Sequence, residues 1–149
     1  MKKLILIMLC LLVAGGVARA DKYTIDRDAL PEPAREMLDK YFPNKKVGMI
    51  KVDRHLLRKT DYDVRLTDGT KIEFNNAGKW TSVKMKKGAV PSGLMLRAMR
   101  TYINKNYKDV SVVWIEKNRT SGAYKVGLSD GVELRFTALG AFKSVELND

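Results

Sequence analysis

The chain contains one segment written twice, and this constrains its fold more than any other feature. Residues Tyr62 to Val83 (YDVRLTDGTKIEFNNAGKWTSV) align without gaps with Tyr124 to Val145 (YKVGLSDGVELRFTALGAFKSV), and nine of 22 positions are identical. Several others are conservative, such as Ile72 with Leu134 and Trp80 with Phe142. Fixed-period self-similarity means that neighbouring copies must build a core together. The likeness runs back more loosely, pairing Val47 to Arg54 with Val110 to Lys117. Before each copy lies an apolar stretch opened by Leu30-Pro31 or Val90-Pro91.

Each copy reads as one helix followed by four strands. Ala34, Met37, Leu38, Tyr41 and Phe42 recur at helical spacing and form one apolar stripe. Pro31 or Pro33 suits a first turn, which needs no amide hydrogen, and Pro43 closes the helix. Leu94, Ala98, Met99, Tyr102 and Ile103 form the matching stripe of the second helix, which opens at Pro91-Ser92 and reads about five residues longer. In the strands Tyr62, Val64 and Leu66 point one way and Asp63, Arg65 and Thr67 the other. Asp68-Gly69 and Asp130-Gly131 read as two-residue type I′ hairpin turns, which need positive φ.

The expected fold class is therefore α+β, a tandem repeat of helix plus four-stranded antiparallel sheet, with copies spanning residues 21–88 and 89–149. A unit of about 60 residues buries too little surface to be stable alone, and each free sheet edge is a liability. Edge-to-edge joining into one larger sheet answers both problems.

The first twenty residues have the form of an export signal. Lys2 and Lys3 precede an apolar run of 14 residues, Leu4 to Val17, and Ala18-Arg19-Ala20 is a small-x-small cleavage site. The run is shorter than the roughly 20 residues that span a bilayer. A periplasmic chain beginning near Asp21 is expected. Its removal would take away Cys10, the only cysteine, and with it any disulfide or thiol chemistry. It would also remove Lys2, Lys3 and Arg19, leaving 25 basic against 17 acidic residues, or +8. Such an excess points to an anionic partner. Export argues against nucleic acid, so acidic protein, anionic glycan and lipid headgroups remain.

The pattern Leu30-Pro31, Tyr41-Phe42-Pro43, then Tyr62-x-Val64-x-Leu66-x-Asp68-Gly69-x-x-Ile72-x-Phe74-x-x-x-Gly78-x-Trp80, written again downstream, resembles the PepSY-like family of small exported proteins. The resemblance covers nearly the whole chain after the signal, although Tyr107-Lys108 stands where a second Phe-Pro would be. It implies the fold of the beta-lactamase inhibitory protein, a continuous sheet with a concave open face that grips a protein. No cofactor and no catalytic residues come with it. Fold alone does not fix function.

Catalytic and metal chemistry find little to work with. His55 is the only histidine, and a lone histidine without a partner carries no mechanism. A zinc site needs about four Cys, His or acidic ligands. No Gly-x-Ser-x-Gly elbow or phosphate-binding glycine loop occurs. The Asp-Gly pairs lack the alternating acidic ligands of a calcium loop, and Asn118-Arg119-Thr120 reads as a turn.

The aromatics that fall out of phase with the core are the better candidates. If Val113 and Ile115 face the helix, Val112 and Trp114 turn to the open face, as do Met49 and Lys51 in the aligned strand. Trp80 and Val83 are three apart, so one of them faces outward unless a bulge intervenes. Phe142 and Val145 repeat that spacing. The expected binding surface comprises Met49, Lys51, Arg65, Lys71, Trp80, Trp114, Lys125, Arg135 and Phe142. It would hold a protein or peptide in the periplasm; an anionic glycan or lipid bound through the basic surface is the alternative.

Overall fold

The computed structural model describes residues 21–54 and 60–147. The expected export signal and His55 lie outside the described residues. Period-two alternation yields nine strands: β1 (Lys22–Thr24), β2 (Val47–Asp53), β3 (Asp61–Leu66), β4 (Lys71–Phe74), β5 (Trp80–Lys84), β6 (Val112–Lys117), β7 (Tyr124–Leu128), β8 (Val132–Phe136) and β9 (Phe142–Leu147). All nine form one antiparallel sheet whose spatial order is the order along the chain. Two ten-residue helices, α1 (Glu32–Tyr41) and α2 (Arg97–Asn106), are the only α-helices among the described residues.

This corrects the expected fold class. The molecule is mostly β, a single nine-stranded sheet carrying two short helices, rather than two helix-plus-four-strand units. Strands dominate because the helices are only ten residues each, and the ladder runs unbroken from one copy into the next. Ser82, Val83 and Lys84 of β5 pair directly with Glu116, Ile115 and Trp114 of β6. β1 was not anticipated, because three residues are too few to display a period. The second helix is also no longer than the first. Pro91 opens a 3-10 turn at Ser92–Leu94, and the α-helix begins only at Arg97.

The core follows from strand register. Ile50, Val64, Ile72, Val83, Ile115, Val126 and Leu134 are successive cross-strand partners over seven strands, and each is 1% exposed or less. Burying each such side chain contributes about 1.5–3 kcal/mol. Ala34, Met37 and Leu38 of α1 and Met99 and Ile103 of α2 join the same cluster, so both helices cover one face of the sheet. Ala98, expected on that stripe, is exposed.

The hairpin turns differ from the expected type. Gly69 and Gly131 both have φ +91°, but Asp109 is the only non-glycine residue with positive φ among those described, so Asp68 and Asp130 lack the value a type I′ turn requires. The Gly69 N–H donates to the Leu66 carbonyl at 3.0 Å, and the Leu66 N–H to the Thr70 carbonyl at 2.9 Å. This is a three-residue loop ending in a left-handed glycine. The Asp carboxylate serves the turn by accepting from the backbone N–H two residues on, at 2.9 Å from Thr70 and 3.1 Å from Val132.

Register shifts interrupt the ladder between Val47 and Met49, between Glu73 and Phe74, between Val112 and Trp114, and between Arg135 and Phe136. Each inserts a residue on one strand and re-aims its neighbours. These shifts decide which side chains reach the uncovered face.

Candidate functional site on the uncovered sheet face

Residues out of phase with the core line the face opposite the helices, and register sorts them into two rows. The first runs Lys51, Asp63, Glu73, Ser82, Glu116, Lys125, Arg135 across β2 to β8. The second runs Met49, Arg65, Lys71, Lys84, Trp114, Gly127 across β2 to β7.

In the first row charges are mostly matched. Lys51 Nζ lies 3.1 Å from Asp21 and 3.7 Å from Asp53. Lys125 lies 3.5 Å from Glu133, and Arg135 lies 2.7 Å from Glu146. Burial raises the Asp63 carboxyl above its ordinary pKa against the pull of Lys51. Burial raises that of Glu73 too, reinforced by Asp63 and Glu116. Beside this row lies a shallow depression of about 570 Å³, lined by Glu73, Ser82, Glu116, Arg119, Lys125 and Arg135 among others. Arg119, in the loop after β6, straps it to β3 through a 2.7 Å contact with Asp61.

The second row is different. Arg65 stands directly opposite Lys71, and Lys71 directly opposite Lys84. Like charges placed opposite on adjacent strands destabilise a sheet. Lys84 is relieved by Glu116 at 3.3 Å; Arg65 and Lys71 have no carboxylate partner among the described residues. Met49 ends this cationic run on one side and Trp114 on the other. Both are half-buried, so each offers apolar surface to whatever lies on the face.

Seven of the nine expected residues thus share one face: Met49, Lys51, Arg65, Lys71, Trp114, Lys125 and Arg135. Trp80 and Phe142 do not. The bulge in β5 sets Trp80 opposite Phe74 on the helix side, its ring 6.4 Å from that of Tyr124. The bulge in β9 does the same for Phe142, which stacks at 4.3 Å on Tyr102 of α2. Val112, expected on the open face, is turned by the β6 bulge into the core opposite Leu128 and is 6% exposed. Sequence reasoning passed over Lys84, whose phase matches its neighbours, and Arg119, for which a loop offers no periodic signal.

Residues 60–144 match the family described as "Putative beta-lactamase-inhibitor-like, PepSY-like". The chain belongs to the PepSY-like family. Three solved structures from Bacteroides resemble this PepSY-like protein over most of its length. A "putative periplasmic protein of unknown function" from Bacteroides vulgatus is 38% identical, with a TM-score of 0.78 over 85% of this chain and 99% of that one. A "putative calcium-regulated periplasmic protein" from Bacteroides thetaiotaomicron is 29% identical, with a TM-score of 0.78 over 85% and 96%. A second "putative periplasmic protein" from B. vulgatus is 32% identical, with a TM-score of 0.77 over 87% and 98%. Among curated proteins, none matches. This PepSY-like protein is periplasmic, in a family whose structural relatives have no established function.

Proposed function

We propose that this PepSY-like protein is a non-catalytic periplasmic module that recognises a protein or peptide through the uncovered face of its sheet. The cationic row Arg65, Lys71 and Lys84, bounded by Met49 and Trp114, carries this reading. Unrelieved like charges across strands destabilise the isolated protein, and carboxylates on a partner would relieve them. Strand spacing sets the backbones that carry those cations about 4.8 Å apart, so an acidic segment laid across the strands would meet all three. Trp114 supplies the aromatic anchor that protein interfaces favour. Inhibition of an enzyme is one form such binding takes, and the family's description names it.

The test is a comparison of baits in a periplasmic extract, read by quantitative mass spectrometry. A protein retained by the wild type should be lost from both Trp114→Ala and the Arg65→Gln, Lys71→Gln double variant. Phe142→Ala, altered on the opposite side, should retain it. Identical captured sets on all four baits would overturn the proposal.

A further inference from the structure

The sheet's other side holds a second surface that the first reading leaves unused. Helix α2 has no acidic residue in its sequence RAMRTYINKN, and Arg97, Arg100 and Lys105 have no ion pair among the described residues. With Met99 and Ile103 buried, helical spacing turns Arg97, Thr101 and Lys105 outward together. Beside them a shallow groove is lined by Arg97, Ala98, Thr101, Tyr102, Lys105 and Asn106.

Apolar side chains gather on the same side. Among the described residues seven large hydrophobics are exposed, and five of them, Leu96, Leu139, Phe142, Val145 and Leu147, belong to α2's entry, to β9 or to the turn before it. Leu139 is 87% exposed at the tip of that turn. A Cβ placed on the adjacent Gly140 would lie 3.2 Å from Leu96 Cβ, which fixes the turn against the start of α2. The stacking of Phe142 on Tyr102 fixes β9 against the helix. Leu139 and the cations of α2 are thus presented by one rigid side of the molecule.

We propose that this α2–β9 side docks on an anionic phospholipid surface. Unpaired Arg and Lys beside protruding leucines are what a peripheral membrane contact requires: cations for the headgroups, and apolar tips for the acyl boundary. The periplasm is bounded by membranes. The surface is separate from the uncovered sheet face, so the proposal stands or falls independently of the one above.

The test is co-sedimentation of the purified protein with vesicles of phosphatidylglycerol in phosphatidylcholine, against vesicles of phosphatidylcholine alone. Binding should require phosphatidylglycerol and fall as salt is raised. Each basic residue near such a surface contributes about 1 kcal/mol, so the Arg97→Gln, Lys105→Gln double variant should weaken partitioning roughly 30-fold. Leu139→Ser should weaken it several-fold, with melting temperature unchanged, because the residue is exposed. Trp114→Ala should bind vesicles as the wild type does. No binding to phosphatidylglycerol, or wild-type partitioning by the double variant, overturns the proposal. Binding that is lost in the double variant but unaffected by Leu139→Ser overturns the apolar half of the contact, leaving a purely electrostatic attachment to the headgroups.

Discussion

The indole of Trp114 lies over Gly127, its cross-strand partner, with Nε1 in the space a Cβ on Gly127 would occupy. Glycine inside a strand normally weakens it by roughly 0.5–1 kcal/mol. Here the missing side chain is replaced by an aromatic ring from the next strand. The aligned position in the earlier segment is Arg65, which faces Met49 instead.

A side chain at Gly127 should therefore be felt through Trp114. Gly127→Val is expected to destabilise by about 1–3 kcal/mol through overpacking and to shift tryptophan emission towards that of an exposed indole. In the Trp114→Ala background the same change should be far milder, with a coupling of about 0.5–3 kcal/mol in urea titrations. Strict additivity would show that the ring does not rest on this glycine.

Two turn glycines should separate strain from crowding. Gly131 has φ +91° with open space around it, so Gly131→Ala should cost only the backbone conformation, about 1 kcal/mol. Gly78 has φ +76°, and a Cβ there would lie 2.8 Å from Pro31 Cβ and 3.0 Å from the Ala34 nitrogen, at the start of α1. Gly78→Ala should cost about 1–3 kcal/mol more than Gly131→Ala. Equal losses would mean that the turn does not seat the helix.

Lys71→Glu places an acid between Arg65 and Lys84. It should stabilise the protein by about 0.2–1 kcal/mol while weakening capture of any partner held on the uncovered face. A variant that gains stability and keeps full capture would separate the row from binding.

Much of this was legible in the sequence, for stated reasons. Alternation located β3, β4, β7 and β8, and the stripe Ala34, Met37, Leu38 located α1, because burial of one face imposes its period directly on composition. Strand β1 was not legible, because it is only three residues long and too short to show a period. Nor was the placement of Trp80, Phe142 and Val112. A bulge adds one residue without marking it, and every side chain beyond it changes face. The three-residue spacing of Trp80 and Val83, repeated by Phe142 and Val145, was a trace of these bulges in the sequence, and it left two outcomes open. Asp-Gly announced a turn at residues 68–69, while the choice between two-residue and three-residue loops rested on the φ of Asp68.

Acid should act in opposite directions at two places. The Asp68 carboxyl is held down to about 2, chiefly by the Thr70 backbone N–H and also by Lys45. Its stabilising contribution is present above the ordinary carboxyl pKa and is lost as pH falls towards 2. Asp63 and Glu73 are raised, so their ionisation opposes folding at neutral pH, and that penalty disappears as they protonate. Asp63→Asn and Glu73→Gln should therefore stabilise at neutral pH, with the gain shrinking as pH falls through the carboxylate range. Asp68→Ala should destabilise at neutral pH, with the loss shrinking on further acidification towards pH 2. Denaturation at a series of pH values reads all three.

Because the strands lie side by side in the order in which they are encoded, every strand from β2 onward has a neighbour made before it. For a protein that works in the periplasm this matters during delivery. A chain threaded through a membrane pore arrives amino end first and unfolded. Here each newly arrived strand has its neighbour already on the exported side, and the bare edges are those of β1 and of the newest strand. The order of delivery and the order of the strands across the sheet run in the same direction, from β1 to β9.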